Sequence, residues 1–316
     1  PIWSLAWNPN KREKHDVVAV GCWDGTLSFY QLNGMQVGDD RVLGFDPCSV
    51  SYFGGGDYVI VGGTDKTTRL CSKEGTVLTT VCERGSWVWC ARARPGHNAI
   101  AVGSEDGSIS THQLTFSTVH GMYREHYAYR DMMTDVIVQH LETEQKVRIR
   151  CKDYVKKIAV YKDKLAVQLP DKLVIYQMVE SDDPDDMQYR VMTKIEENLK
   201  CNLLVITSNH VMLCMEKKIL LYTMDGKKER TWSMDSVIRY IKVDGGPENG
   251  EGVLVGLKDG KCLKVFIDND FPMDLVNHGA AVRCLDMSAF RKKLAVVDEN
   301  SACLLYTSDA ADDTLC

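Results

Sequence analysis

The sequence has twelve cysteines but no Cys-x-x-Cys pair, so neither a redox dithiol nor a zinc knuckle is written into it. It has no Asn-x-Ser/Thr sequon. No apolar run approaches the ~18 residues that cross a bilayer. The glycine-rich spots, Gly54–Gly56 and Gly245–Gly252, are not followed by Lys-Ser/Thr, which excludes a phosphate loop and leaves hairpin turns. Neither a Gly-x-Ser-x-Gly elbow nor a His-Glu-x-x-His pair occurs. Charge of one sign is scarce as well. The net charge is −6, with 10 Lys/Arg against 12 Asp/Glu in residues 1–114 and 28 against 32 in the remainder. Neither part is a basic nucleic-acid module, and no nucleic-acid partner is expected. The start, Pro1-Ile2-Trp3-Ser4-Leu5, lacks an initiator methionine and a signal peptide and reads as the middle of a strand, so the chain is expected to be a fragment.

What is present is a phrase that returns. Val20-Gly-Cys-Trp-Asp24-Gly25-Thr-Leu-Ser-Phe-Tyr30 recurs as Val61-Gly-Gly-Thr-Asp65-Lys-Thr-Thr-Arg-Leu70 and as Val102-Gly-Ser-Glu-Asp106-Gly107-Ser-Ile-Ser-Thr. Asp24 to Asp65 is 41 residues, and Asp65 to Asp106 is 41 again. Asp-Gly supplies the positive φ angles of a tight hairpin turn, and the residues after it alternate as a half-buried strand does. Four short strands at a period of roughly 40–45 residues are the signature of WD40-type propeller blades. After Asp106 the next equivalent turn is Pro170-Asp171-Lys172, 65 residues on. Ser117–Met133 lacks clean alternation and is read as a linker. Strands resume at Asp135–His140 and Lys146–Cys151, and further turns follow at Glu216-Lys217, Asp259-Gly260 and Glu299-Asn300.

The expected fold is all-β, with WD40-type β-propeller blades from two tandem propellers, both incomplete. Residues 1–114 form the last three blades of a first propeller, 115–134 the inter-propeller linker and 135–306 the larger part of a second propeller. Residues 307–316 read as a non-native tail of the adapter read-through type. Little helix is expected, and apolar side chains are expected exposed near Ile2–Trp7 and Leu294–Tyr306.

No residue set points to catalysis. Cys22, Cys48, Cys71, Cys90, Cys151 and Cys284 sit in strand-like runs, as free buried thiols do. His120, His126 and His140 lack a partner at metal-ligand spacing and are expected to pack at the junction. The acidic run Glu180–Asp186 reads as a solvated loop. Trp87 and Trp89 share a strand face and are expected in the core. No cofactor or metal is expected. One feature suits an interaction surface: Lys146, Arg148, Arg150 and Lys152 alternate with Val147, Ile149 and Cys151, and Lys156 and Lys157 follow. Alternation puts the first four cations on one face, suited to an acidic partner or an anionic membrane surface, or simply to protecting an outer strand from pairing.

Several stretches are more specific than the repeat. They include Pro1-Ile-Trp-Ser-Leu-Ala-Trp-Asn-Pro9, Phe45-Asp-Pro-Cys-Ser-Val-Ser-Tyr-Phe53 and Phe116-Ser-Thr-Val-His-Gly-Met-Tyr-Arg-Glu-His-Tyr-Ala-Tyr-Arg-Asp131. Met133-Thr-Asp-Val-Ile-Val-Gln-His-Leu141 and Arg291-Lys-Lys-Leu-Ala-Val-Val-Asp-Glu-Asn300 are two more. With these the chain resembles the intraflagellar transport protein 122 family, WD-repeat subunits of intraflagellar transport complex A. The resemblance implies two propellers followed by a long helical region, and a non-catalytic scaffold in retrograde ciliary transport and cilium assembly. It implies other complex A subunits as partners, together with a tubby-like adaptor and ciliary membrane-receptor cargo. The implied location is the cilium and its basal body, with cytoplasm and cytoskeleton. A vesicle-coat-like scaffold is the nearest alternative. A propeller enzyme or small-molecule binder is the alternative of another class, and charged side chains converging at one end of several inner strands would favour it.

Overall fold

The computed structural model describes residues 1–11, 15–179, 187–196 and 199–307. These fold into eight antiparallel sheets of three or four strands, each in sequence order. The first blade is β1 (Ile2–Trp7), β2 (Val17–Cys22), β3 (Thr26–Gln31) and β4 (Arg41–Val42), and the second is β5 (Pro47–Phe53), β6 (Tyr58–Gly63), β7 (Thr67–Ser72) and β8 (Val77–Glu83). The third has three strands, β9 (Val88–Ala93), β10 (Ala99–Ser104) and β11 (Ile109–Gln113). The fourth is β12 (His120–Tyr123), β13 (His126–Asp131), β14 (Asp135–His140) and β15 (Lys146–Arg150), and the fifth is β16 (Lys157–Tyr161), β17 (Lys164–Gln168), β18 (Leu173–Val179) and β19 (Gln188–Ile195). The sixth is β20 (Leu203–Ile206), β21 (His210–Met215), β22 (Lys218–Thr223) and β23 (Lys228–Ser233), and the seventh is β24 (Ile238–Gly245), β25 (Gly252–Leu257), β26 (Lys261–Phe266) and β27 (Met273–Asn277). The eighth is β28 (Val282–Met287), β29 (Lys293–Asp298) and β30 (Cys303–Thr307). The single helical element among the described residues is a 3-10 turn at Gly54–Gly56.

Burial follows strand position. Second strands lie inside the sheet and between blades, so Val59, Ile60 and Val61 are all fully buried, as are Val253, Leu254 and Val255. Outer strands are more exposed, and β15 alternates cleanly. The cores lie between neighbouring blades: Ala19, Leu27 and Phe29 of the first meet Val50, Val59 and Val61 of the second. Ala166, Leu173 and Ile175 of the fifth meet Leu204, Val211 and Leu213 of the sixth. Each buried Val, Leu, Ile or Phe among them contributes ~1.5–3 kcal/mol by leaving water, and the alanines less.

The turns between second and third strands fall where the repeat predicts. Gly25, Gly107 and Gly260 adopt φ of 76°, 79° and 93°. At the matching position of the second blade Lys66 takes φ 66°, held there although it has a side chain. Ile2, Trp3, Leu5 and Trp7 are exposed, as are Leu304 and Leu305.

The stretch read as a linker is corrected. Within it, His120–Tyr123 and His126–Asp131 are strands that open the fourth blade. Their turn to β14 has no Asp-Gly; Met132 and Met133 supply the positive φ themselves, at 45° and 65°. The 65-residue gap therefore hides one turn, and it is shorter than two repeats because the third blade has three strands. The acidic run 180–186 and the tail from 308 lie outside the described residues.

The chain separates into two compact units. One is Pro1–Thr118 with Asp131–Asp135 and Arg150–Tyr154; the other is Val119–Arg130, Val136–Ile149 and the chain from Val155. In the first, β1 packs on β5 and β5 on β9; in the second, β12, β16, β20, β24 and β28 pack in succession.

Candidate interaction surfaces

Five inner strands share one irregularity. The ladder skips a residue between Ile2 and Ser4, between Pro47 and Ser49, and opposite Gly103 and Ser104. It does so again between Ile238 and Tyr240 and between Val282 and Cys284. A bulge leaves its extra residue unpaired and re-aims the side chain. The extra residues are Trp3, Cys48 and Trp89 in the first unit and Arg239 and Arg283 in the second, and both arginines are exposed.

In the first unit this builds an aromatic cluster at the end that carries the second-to-third strand turns. Trp3 stacks on Trp23, which begins the turn after β2, with centroids 4.3 Å apart and planes at 18°. Trp89 lies 6.0 Å from Trp3, and Trp87 5.8 Å from Trp89. Trp3 belongs to the first blade and Trp89 to the third, and the bulge residue of the blade between them is the small Cys48. Trp3 is 49% exposed and Trp87 and Trp89 are 37% exposed each. The expected core placement of Trp87 and Trp89 is thus corrected: Val88 between them takes the buried side, Trp87 precedes the strand, and the bulge turns the Trp89 ring outward.

Carboxylates border the cluster. Asp24 follows Trp23, the Glu105 amide donates to the Trp87 carbonyl at 2.9 Å, and the Asp106 amide donates to Ser86 Oγ at 3.2 Å. Hydrogen bonds from the Thr26 hydroxyl (2.6 Å) and amide (3.1 Å) hold the Asp24 carboxyl below its usual pKa. Ser108 does the same for Asp106 through its hydroxyl at 2.5 Å and amide at 2.9 Å. Asp24, Asp46 and Asp65 also line a cavity of about 440 Å³ with Phe45. Of the nearby cations, Arg69 pairs with Asp65 at 2.7 Å and lies over Phe45, Arg84 reaches Ser104 and Ser108 and acts on Asp106, and Lys66 is exposed in the turn after Asp65.

In the second unit charged side chains do converge, at the opposite ends of the inner strands, but they bind one another. Lys264 and Asp244 form a buried ion pair, their side chains 6% exposed, which Arg291 joins at 3.4 Å. Lys162 Nζ donates to Ser208 Oγ at 2.9 Å, and the Ser208 amide donates to Glu251 Oε1 at 3.1 Å. Glu251 is fully buried, and its Oε2 has no hydrogen-bond partner among the described residues. Burial, and after it the neighbouring Tyr123, Glu251 and Asp244, push the Tyr161 hydroxyl up to about 12. At the turn end, His278 bonds Tyr306 at 2.8 Å and faces Asp298 at 3.5 Å. Burial alone would raise the Asp298 carboxyl, but amide hydrogen bonds from Ala302 and Asn300 and the contact with His278 bring it below its usual value.

The basic candidates divide. Lys146, Arg148 and Arg150 are exposed on one face of β15, with Val147 and Ile149 half-buried on the other. Lys152 is exposed and follows the strand at φ 58°. Lys156 and Lys157 are half-buried, Lys156 Nζ lying 3.5 Å from the Pro170 carbonyl, so they are not part of that face.

The thiols are held as thiols. Every described cysteine is free. Burial raises Cys71 to about 12 and Cys201 and Cys262 to about 11, and it raises Cys214 further. Among the described residues no three His, Cys, Asp or Glu side chains gather as a metal site.

A family model described as the IFT122 second beta-propeller matches residues 120–315, more than half of the chain, and a WD domain, G-beta repeat model matches residues 1–31. The intraflagellar transport protein 122 homolog of Mus musculus is 57% identical over 306 residues, covering 97% of this chain and 26% of that protein. The homolog of Xenopus tropicalis is 56% identical over 312 residues, covering 99% and 26%. The chain thus spans about a quarter of the length of these relatives. A crystal structure of BBS1N in complex with ARL6DN is 13% identical, covers 96% of this chain and 90% of its own, and has a TM-score of 0.43. With its WD-repeat blades and this match over most of the second unit, the chain belongs to the intraflagellar transport protein 122 family.

Proposed function

We propose that the chain serves as part of a non-catalytic scaffold of intraflagellar transport complex A. It supports retrograde ciliary transport, cilium assembly and the entry of membrane receptors into the cilium. The observation that carries this reading is 57% identity across 97% of the chain to a ciliary transport protein. The blades suit the role, because stacked sheets give two turn-bearing ends and a rim for separate partners. The charged groups of the second unit engage one another and the buried thiols are protonated, which supports a role in contact rather than chemistry. The partners are other complex A subunits, a tubby-like adaptor and receptor cargo, and the location is the cilium and its basal body with cytoplasmic and cytoskeletal pools. The two units belong to successive propellers.

The exposed cations of β15 dock an acidic surface of a partner subunit. Affinity purification of the tagged chain from ciliated cells tests the whole reading. Ciliary transport subunits are expected in the eluate, and Lys146→Glu/Arg150→Glu is expected to lose one of them at an unchanged melting temperature. Recovery of vesicle-coat proteins without ciliary transport subunits would overturn it.

A further inference from the structure

A cleft on the sixth blade gathers positive charge in a chain whose net charge is −6. Its volume is about 650 Å³, within the ~300–1,000 Å³ of small-molecule sites. Lys200, Lys217, Lys218 and Lys228 line it, and Glu216 is the carboxylate on the lining. The lysines come from three places: the crossing into β20, the turn from β21 to β22, and the start of β23. The cleft lies on the side facing the fifth blade, for Leu220 on its wall packs against the core those two blades share. β16 packs on β12 and β20 on β24, so each blade has a neighbour on its far side and the cleft is no end face of the unit. Gln168 fixes the wall, its amide donating to the Leu199 carbonyl and its oxygen accepting from the Cys201 thiol at 3.3 Å. Lys156 and Lys157 add to the field from the fifth blade. Burial holds the Cys201 thiol at about 11, while Lys157, the Gln168 bond and Lys156 pull it down. Unlike the charged groups buried at the inner strands, these side chains are not spent on one another. Lys217 Nζ donates to the Asp235 carbonyl at 3.0 Å, and the Asp235 carboxylate faces Lys261 at 3.7 Å. Lys200, Lys218 and Lys228 are exposed and form no ion pair among the described residues.

We propose that this cleft binds a small anion carrying several phosphate groups. Ammonium groups are compact point charges without arginine's planar fork, so a cluster of them suits the dense charge of neighbouring phosphates better than a flat carboxylate. Walls of one sign also concentrate such ions from solution. The site goes beyond the transport role and is tested in the purified chain, so its failure leaves that role standing.

Calorimetric titration of the chain with inositol hexakisphosphate tests this. One saturable site is expected, weakening steeply as salt is added. Lys218→Ala/Lys228→Ala is expected to weaken it about tenfold at an unchanged melting temperature. Lys292→Ala/Lys293→Ala removes equal charge from the eighth blade and is expected to leave the affinity as it was. Lysine acetylation read by mass spectrometry needs no variant: the bound ligand is expected to slow modification of Lys200, Lys217, Lys218 and Lys228. Vesicles carrying phosphatidylinositol bisphosphate separate the sources. Flotation that the Lys218/Lys228 variant loses places the phosphates on a lipid headgroup, and no flotation places them on a soluble ligand. Absence of saturable binding to the folded chain overturns the proposal. So does equal weakening by the two double variants, because that is the attraction of surface charge at large.

Discussion

Blades one to three and blades seven and eight make the same bulge and put opposite chemistry on it. Trp3, Cys48 and Trp89 occupy the extra position in the former, Arg239 and Arg283 in the latter. The backbone device fixes where a side chain points; the residue type decides what that point attracts. The two regions also hold their blades differently. The early blades repeat one device, in which the turn aspartate accepts from the residue two positions on: Asp24 from Thr26, Asp65 from Thr67, Asp106 from Ser108. Blades seven and eight keep this device, Asp259 accepting from the Lys261 amide at 3.2 Å and Asp298 from the Asn300 amide at 2.9 Å, and the later blades add tertiary pairs to it, Lys264 with Asp244, Ser208 with Glu251, and His278 with Tyr306. One repeat grammar runs through both regions, and the tertiary pairs supplement it.

The largest effect tests those added pairs. Lys264→Met leaves Asp244 buried and answered only by the half-exposed Arg291, and is expected to destabilise the chain by about 3 kcal/mol in urea unfolding. A loss below about 1 kcal/mol would break the comparison, placing the later blades' stability elsewhere.

Glycine substitution sharpens it next. A Cβ on Gly107 meets nothing within 4 Å, so Gly107→Ala is expected to cost only the left-handed strain, about 1–2 kcal/mol. On Gly260 the same atom would lie 2.5 Å from the Gly279 amide nitrogen, so Gly260→Ala is expected to cost clearly more. Equal shifts in the denaturant midpoint would show that the two turns are interchangeable.

Acid unfolding gives a smaller effect. Asp24 and Asp106 have folded-state pKa values below the ordinary 3.8. Their stabilising contribution is full above that value and is lost as pH falls below it, through the lower folded value. Asp24→Asn/Asp106→Asn is expected to flatten the fall of the urea midpoint in that range. An unchanged slope would remove these turns from the acid limb.

Thiol labelling changes stability least. N-ethylmaleimide at pH 8 is expected to modify the exposed Cys90 and Cys303 in the native chain, and to reach Cys71 and Cys214 only on unfolding. Mass spectrometry reads the order.

The sequence by itself determined the blades, because two local signals suffice: alternation for a half-buried strand and Asp-Gly for a turn with positive φ. Where the second signal was missing, the reading failed. Met132-Met133 makes its turn without glycine, so β12 and β13 passed for a linker. The cations of β15 were legible because period-two alternation is local, but the separation of Lys156 and Lys157 from them depends on where the next blade begins. Only the tertiary structure decided that Trp3 meets Trp89 across 86 residues of chain, and that Lys264 finds Asp244. Strand periodicity says which side of a sheet a residue takes. It does not say which residue of another strand or blade stands opposite, and a bulge changes even the side.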